Sequence, residues 1–254
     1  PKGTYITIEA LNMDEEDEDY HREISEQLAK VLKQLISVKK EDVSVLIVGL
    51  GNRAVTPDAL GPRVVDNLYI TRHIINEYGK YAFGKEHVNR VSSIVPGVMA
   101  QTGMESMEIV NGIVKETKPD VVIAIDALAA RSAFRLGTTV QLTDTGIRPG
   151  SGVGNARKGI IKENMKIPVI AIGIPTVVSA AAIVSDAMDS LKQIGYNETI
   201  LGSIAMLDKE EYYQLISEVF APELGSLFVM PKNLDEELDT MSSLLAASLS
   251  QVIC

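Results

Sequence analysis

The chain has 254 residues, with 24 Lys and Arg against 34 Asp and Glu, and so a formal net charge of −10 at neutral pH. At 46% hydrophobic and 23% charged residues it has the composition of a globular protein, long enough to bury a core without disulfides or a structural metal. The acidic balance argues against a nucleic-acid partner, which would need a basic excess. The one cysteine, Cys254, rules out an internal disulfide framework and a Cys-rich zinc site and suits a reducing cytosol. No apolar segment interrupts residues 1–26, so no secretory signal is expected. Pro at position 1 is read as a processed chain or one that starts inside a longer gene product.

From the N-terminus, the acidic block MDEEDED (13–19) is followed by Ile24, Leu28, Val31, Leu32, Leu35 and Ile36 at helical spacing. This predicts an amphipathic helix over about 20–37, its acids near the positive end of the dipole. The apolar run VSVLIVGLGN (43–52) predicts a strand buried on both faces. Further strands are predicted at Val91–Val95, Val121–Ile125, Thr139–Leu142 and Val169–Ile172. Helices are predicted at 60–77, 103–117, 177–194, 209–219 and 233–252. Strands alternating with helices imply an α/β fold, a mostly parallel twisted sheet flanked by helices. The reading is a single domain: an N-terminal segment and helix (1–42), a sheet core (43–195) and a helical C-terminal part (196–254). The charge-free stretch Ile167–Ser185 is divided by Pro168, Gly173, Pro175 and Thr176 into a strand and a helix start, so no membrane span is expected.

Ligands of open α/β sheets bind outside the carboxyl ends of the strands. That rule selects GLGNRAVTPDALGP (49–62), VPGVMAQTGME (95–105), IDALAARS (125–132), DTGIRPGSGVGNARK (144–158) and GIPTVV (173–178). Asp58, in a turn and helix-start signal, reads either as an N-cap or as a carboxylate aimed into the crevice. Asp126, closing the run VVIAID, reads either as a cap for a helix beginning at Ala127 or as a site acid. Asp120 precedes its strand and belongs at the opposite end of the sheet, whereas Asp144 follows its strand and stays possible. Asp58 and Asp126 form the pair with chemistry: two carboxylates can share a proton, one acting as base toward water and the other as donor.

The run PGSGVGN (149–155) fits neither the dinucleotide nor the P-loop fingerprint. Gly150, Ser151 and Gly152, with Gly51 and Asn52, are candidates for substrate contact or oxyanion donation. There is no GxSxG elbow and no HExxH, and His21, His73 and His87 form no spaced cluster. No metal ligand set and no cofactor are expected.

Taken in order, GLGNRAVTPDALGPRVVDNLYITRH, SSIVPGVMAQTGMES, IDALAARS, DTGIRPGSGVGN and IPVIAIGIPTVV, extended by LISEVFAPELGSLFVMPKNLDE, resemble the germination protease family of endospore-forming bacteria. The resemblance covers about residues 4–195. It implies an endopeptidase that degrades small acid-soluble spore proteins in the cytoplasm of the spore core at germination. It also implies a self-processing zymogen, a homotetramer, and a phosphorylase/hydrolase-like α/β fold similar to the hydrogenase maturation endopeptidases. The family's two catalytic acids match Asp58 and Asp126. The chain departs from the family in showing no propeptide ahead of TYITIEAL and in having a short segment over Asn197–Lys209, where a loop is expected to be missing. No His follows His87, so the downstream metal ligand of the hydrogenase endopeptidases is absent. A metal-free, aspartic-type mechanism is therefore expected, with weak divalent-ion binding by two carboxylates left open. Two alternatives are a peptidyl-tRNA hydrolase-like esterase, suggested by IVGLGN and by TRH at 71–73 but disfavoured by the charge, and a non-catalytic peptide-binding module.

Overall fold

In the computed structural model, which describes residues 2–11, 13, 17–38, 40–151, 157–193, 209–220 and 227–253, seven strands form one sheet. Its order is β1 (Tyr5–Glu9), β5 (Thr139–Thr143), β6 (Val169–Ser179), β4 (Val121–Ala130), β2 (Ser44–Gly49) and β3 (Arg90–Ile94), and β7 (Phe228–Val229) joins the far end of β6. The helices are α1 (Glu18–Leu35), α2 (Leu60–Asp66), α3 (Arg72–Tyr78), α4 (Met99–Thr102), α5 (Ser106–Thr117), α6 (Lys162–Met165), α7 (Ala180–Gln193), α8 (Lys209–Phe220) and α9 (Leu234–Ile253).

The central strands carry unbroken apolar runs, Val45–Val48 in β2, Val121–Ile125 in β4 and Val169–Ile172 in β6, because both faces of the sheet are covered there. On one face Val45, Ile47, Ile123, Ile125 and Ile172 meet Leu28 and Leu32 of α1, Leu60 and Val64 of α2, and the Leu238–Leu245–Leu249 stripe of α9. On the other, Leu46, Val48, Val122 and Ala124 meet Val110 and Val114 of α5 and Met165 of α6. Helix α1 begins where Asp17 accepts the backbone N–H groups of Asp19 and Tyr20, each at 3.0 Å, which satisfies donors that the first turn leaves open.

The sheet is mixed: the expected parallel strands form its centre, and antiparallel pairs join them. Strands β3, β2, β4 and β6 run parallel, but β5 is antiparallel to β6, β1 to β5 and β7 to β6. The physical reason lies in residues 131–138 between β4 and β5. They hold only a short 3-10 turn, Ala133–Arg135, and a parallel return would need a crossover of a dozen residues or more.

Strand β1 was missed in the sequence because it is a one-sided edge whose outward residues, Tyr5, Thr7 and Glu9, are exposed. The helix predicted over 60–77 is two helices. Thr71 sits between them, donating to the Asn89 carbonyl and accepting the Val91 N–H. The helix predicted over 103–117 starts at Ser106, after Gly103 in the left-handed region (φ 72°) closes the α4 turn.

Two predicted loops are strands. β4 runs past Ile125 to Ala130, and β6 past Ile172 to Ser179, with the register shifting opposite Leu128 and Ala129. Pro175 is accommodated within β6 because its carbonyl is turned the other way, accepting the Gly137 N–H at 2.9 Å. Most of the short segment over Asn197–Lys209 lies outside the described residues. Ile167–Ser185 is β6 and the start of α7, and no helix among the described residues is long and apolar enough to cross a membrane.

Candidate active site

Strand β2 ends at Gly49, and the next N–H, from Leu50, donates to the Ile125 carbonyl of β4 at 2.8 Å. The chain then turns back on itself through the 3-10 turn Thr56–Asp58 into α2. Two glycines make this return possible. Gly51 has φ +112°, and a Cβ there would lie 2.0 Å from the Asp58 carbonyl oxygen; a Cβ on Gly61 would lie 2.4 Å from the Leu50 carbonyl and 2.6 Å from that of Ile125. Backbone packs directly on backbone, which only glycine allows. The turn is tied down twice more. The Asn52 N–H donates to the Asp58 carbonyl at 3.0 Å and to its carboxylate at 2.8 Å, and the Thr176 hydroxyl of β6 donates to the Pro57 carbonyl at 2.6 Å.

Asp58 therefore ends a turn and caps no helix: α2 has no side-chain cap. Asp126 caps none either. It lies within β4, opposite Gly173 of β6, with 7% of its surface exposed. Burial, and then the charge of Asp58, push its carboxyl up to about 8 against the opposing pull of the Ala127 N–H. Burial also raises the Asp58 carboxyl, while the Asn52 N–H acts the other way. The pair meets the condition for a shared proton, a buried acid whose ionisation is opposed by a second acid.

Both acids line a cavity of about 500 Å³. Its walls come from the β3–α5 connection, from Arg148 to Ser151 with Arg157, and from Phe228 of β7. Of the other predicted residues, Gly51, Gly150 and Ser151 line this cavity, and Gly152 lies outside the described residues. Asn52 lines an adjoining groove instead. Its N–H is engaged by Asp58, and its side-chain oxygen accepts from Ala54 and Gln101, so it positions Asp58.

Asp144, kept as a possible site acid, is at the wrong end of the sheet. Because β5 is antiparallel, its last residue, Thr143, pairs with Ala171 near the start of β6, and Asp144 accepts the Thr4 N–H there at 2.8 Å. Asp120, expected at that end, binds Lys40 and the Ser44 N–H. The segment after Asp144 runs back over the sheet, Ile147 packing with the α5-side core, and so delivers Arg148 to the cavity.

Three cavity residues went unrecognised in the sequence. Arg148 and Arg157 have no carboxylate partner among the described residues, and Glu105 carries a buried oxygen with no hydrogen-bond partner. All fall in segments that the strand-end rule selected, but nothing in their local spacing marks them. Among the described residues no three His, Cys, Asp or Glu side chains gather as a metal site.

The profile of the germination protease family matches residues 1–198. The germination protease of Caldanaerobacter subterraneus subsp. tengcongensis is 47% identical over 92% of this chain and 73% of its own length. Those of Bacillus velezensis and Priestia megaterium are each 42% identical over 99% of this chain and 78% of their own length. Among solved structures, a [NiFe] hydrogenase maturation protease from Thermococcus kodakarensis matches 86% of this chain and 98% of its own at a TM-score of 0.40 and 18% identity, too distant a likeness to bear on the function. A match to a protease family over most of the chain sets aside the esterase and the binding-module alternatives. The chain belongs to the germination protease family and is a peptidase acting in spore germination.

Proposed function

We propose that Asp58 and Asp126 activate one water against a substrate peptide bond. The observation that carries this reading is Asp126, buried on the cavity floor with Asp58, its proton held up to about pH 8. Ionised Asp58 takes a proton from water as the water oxygen bonds to the carbonyl carbon. Protonated Asp126 gives its proton to the carbonyl oxygen, forming a gem-diol. Collapse of that intermediate breaks the C–N bond: the proton on Asp58 passes to the leaving nitrogen, and one hydroxyl proton returns to Asp126, restoring the pair. Gly51 and Gly150, with Gly152 by its position in the sequence, are the candidates to donate backbone N–H groups to the developing oxyanion; the Ser151 N–H already donates to the Arg148 carbonyl at 3.3 Å, so Ser151 is kept as a substrate contact through its hydroxyl.

The substrates under this reading are small acid-soluble spore proteins, cleaved in the spore core. The enzyme is a homotetramer that processes its own zymogen, needs no metal, and uses residues 1–254 as one peptidase domain of phosphorylase/hydrolase-like fold, with 43–195 as its sheet core. The test is incubation of a small acid-soluble spore protein with the wild type, Asp58→Asn and Asp126→Asn, with the fragments mapped by mass. Cleavage by the wild type alone supports the assignment. Cleavage by either variant refutes it.

A further inference from the structure

The cavity floor contains an open backbone edge. β2 pairs with β4 only as far as Gly49 opposite Ile125, while β4 and β6 stay paired to Ala130 opposite Val178. Beyond Ile125, β4 thus has a neighbour on its β6 side and none on its β2 side among the described residues. The Ile125 carbonyl points to that open side, since it accepts the Leu50 N–H. Main-chain groups alternate sides along a parallel strand, so the Ala127 and Ala129 carbonyls and the Ala129 N–H face the same side, while the Ala127 N–H is turned to the Asp126 carboxylate. The register shift opposite Leu128 and Ala129 skips Thr176 of β6, leaving the alternation of β4 intact. Ala127, Leu128 and Ala129 are half-buried and line the cavity, whereas Ala130, at the end of the strand, is buried.

An unpaired strand edge is a template for another extended chain. Here it begins one residue after Asp126, and methyl side chains at Ala127 and Ala129 leave a neighbouring backbone room to approach. We propose that the β4 edge at Ala127 and Ala129 receives the substrate's main chain as an added strand, in the manner of β-augmentation, and so lays the scissile bond across Asp126. The occupant is an extended, unfolded peptide, the form a peptidase must act on. The inference rests on the Asp58–Asp126 reading only for the position of the scissile bond.

The experiment is an ester scan. A synthetic peptide spanning a bond that the protein cleaves is remade with each backbone amide in turn replaced by an ester, which removes one N–H and keeps the chain trans. Wild-type kcat/KM is expected to fall about 3- to 10-fold, the worth of one hydrogen bond, at every second position on one side of the scissile bond, with little change between. A flat profile or a uniform loss overturns the proposal. The same peptides are titrated against Asp126→Asn by fluorescence anisotropy, where the period of two should reappear in Kd, and its absence there also overturns the proposal. Cleavage by that variant would refute the acid pair alone, and the period of the scan would still decide whether the edge receives the peptide.

Discussion

Replacing Asp126 by Asn should abolish cleavage and, at the same time, stabilise the fold at neutral and alkaline pH. The folded protein holds the Asp126 proton up to about 8, whereas the unfolded chain releases it near 3.8. Between those values the folded state binds a proton that the unfolded state lacks, so stability falls as pH rises. Below 3.8 both states are protonated and the penalty vanishes; above about 8 both are ionised and it stays constant. Each pH unit in the window is worth about 1.4 kcal/mol. From pH 5 to pH 8 the wild type should therefore lose roughly 3–4 kcal/mol relative to Asp126→Asn, part of the last unit being lost to the approach to the folded pKa.

Urea melts of the two proteins at pH 5, 6, 7 and 8 read this directly, and the comparison cancels every carboxylate they share. The midpoints should diverge by about 1–2 M across the series, while peptide cleavage falls at least 10²-fold, the usual contribution of a general acid or base. Midpoints that run parallel from pH 5 to 8 would mean that Asp126 is already ionised at neutral pH, and the shared-proton mechanism would fail with them.

Cleavage activity should decline as pH rises through about 8, where the last proton leaves the pair, and on the acid side as Asp58 takes up its own; a kcat/KM profile tests both limbs. Asp58→Asn should remove cleavage and lower the Asp126 pKa, because the opposing charge is gone; carbon-13 carboxyl titration by NMR would detect a pKa that fails to move. Gly51→Ala drives a Cβ into the Asp58 carbonyl oxygen at positive φ and should cost at least about 2 kcal/mol along with activity; an unchanged melting temperature would contradict the close approach. Thr176→Val removes the bond to the Pro57 carbonyl and should lower stability by about 1 kcal/mol, or roughly 2–4 °C in Tm, with a fall in kcat from the loosened Asp58 turn. EDTA should leave activity nearly unchanged; loss restored by one divalent ion would overturn the metal-free reading.

The elements that could be read from the sequence are those whose pattern is set by local burial. The α1 stripe Ile24–Leu28–Leu32 and the α9 stripe Leu238–Leu245–Leu249 repeat at helical spacing because each faces the same core. What escaped was set by partners distant in the chain. The direction of β5 depends on its pairing with β6, and β5 itself, TVQLT, reads the same either way. The extensions ALAA of β4 and GIPTVVS of β6 look like loops because alanine is depleted in strands and glycine and proline form turns. They are strands because each satisfies the other, helped by the single-residue shift at Thr176.

The same distinction explains why two acids stood out while their surroundings did not. A carboxylate at the end of VVIAI is conspicuous because burying it is costly, and an acid kept there against that cost needs a reason in chemistry. Asp144 carried the same local signal after an apolar strand, and it was misleading because β5 runs the other way. A strand-end acid therefore marks the site only once its strand's direction is known. For Asp58 the stronger signal was in the backbone: Gly51 and Gly61 admit contacts that any Cβ would forbid, and those contacts hold the turn against the mouth of β4. Arg148, Arg157 and Glu105 have no such constraint on their neighbours. Their place at the cavity depends on a segment that starts at the opposite end of the sheet and on a connection that wraps α4, neither of which leaves a period or a spacing to read.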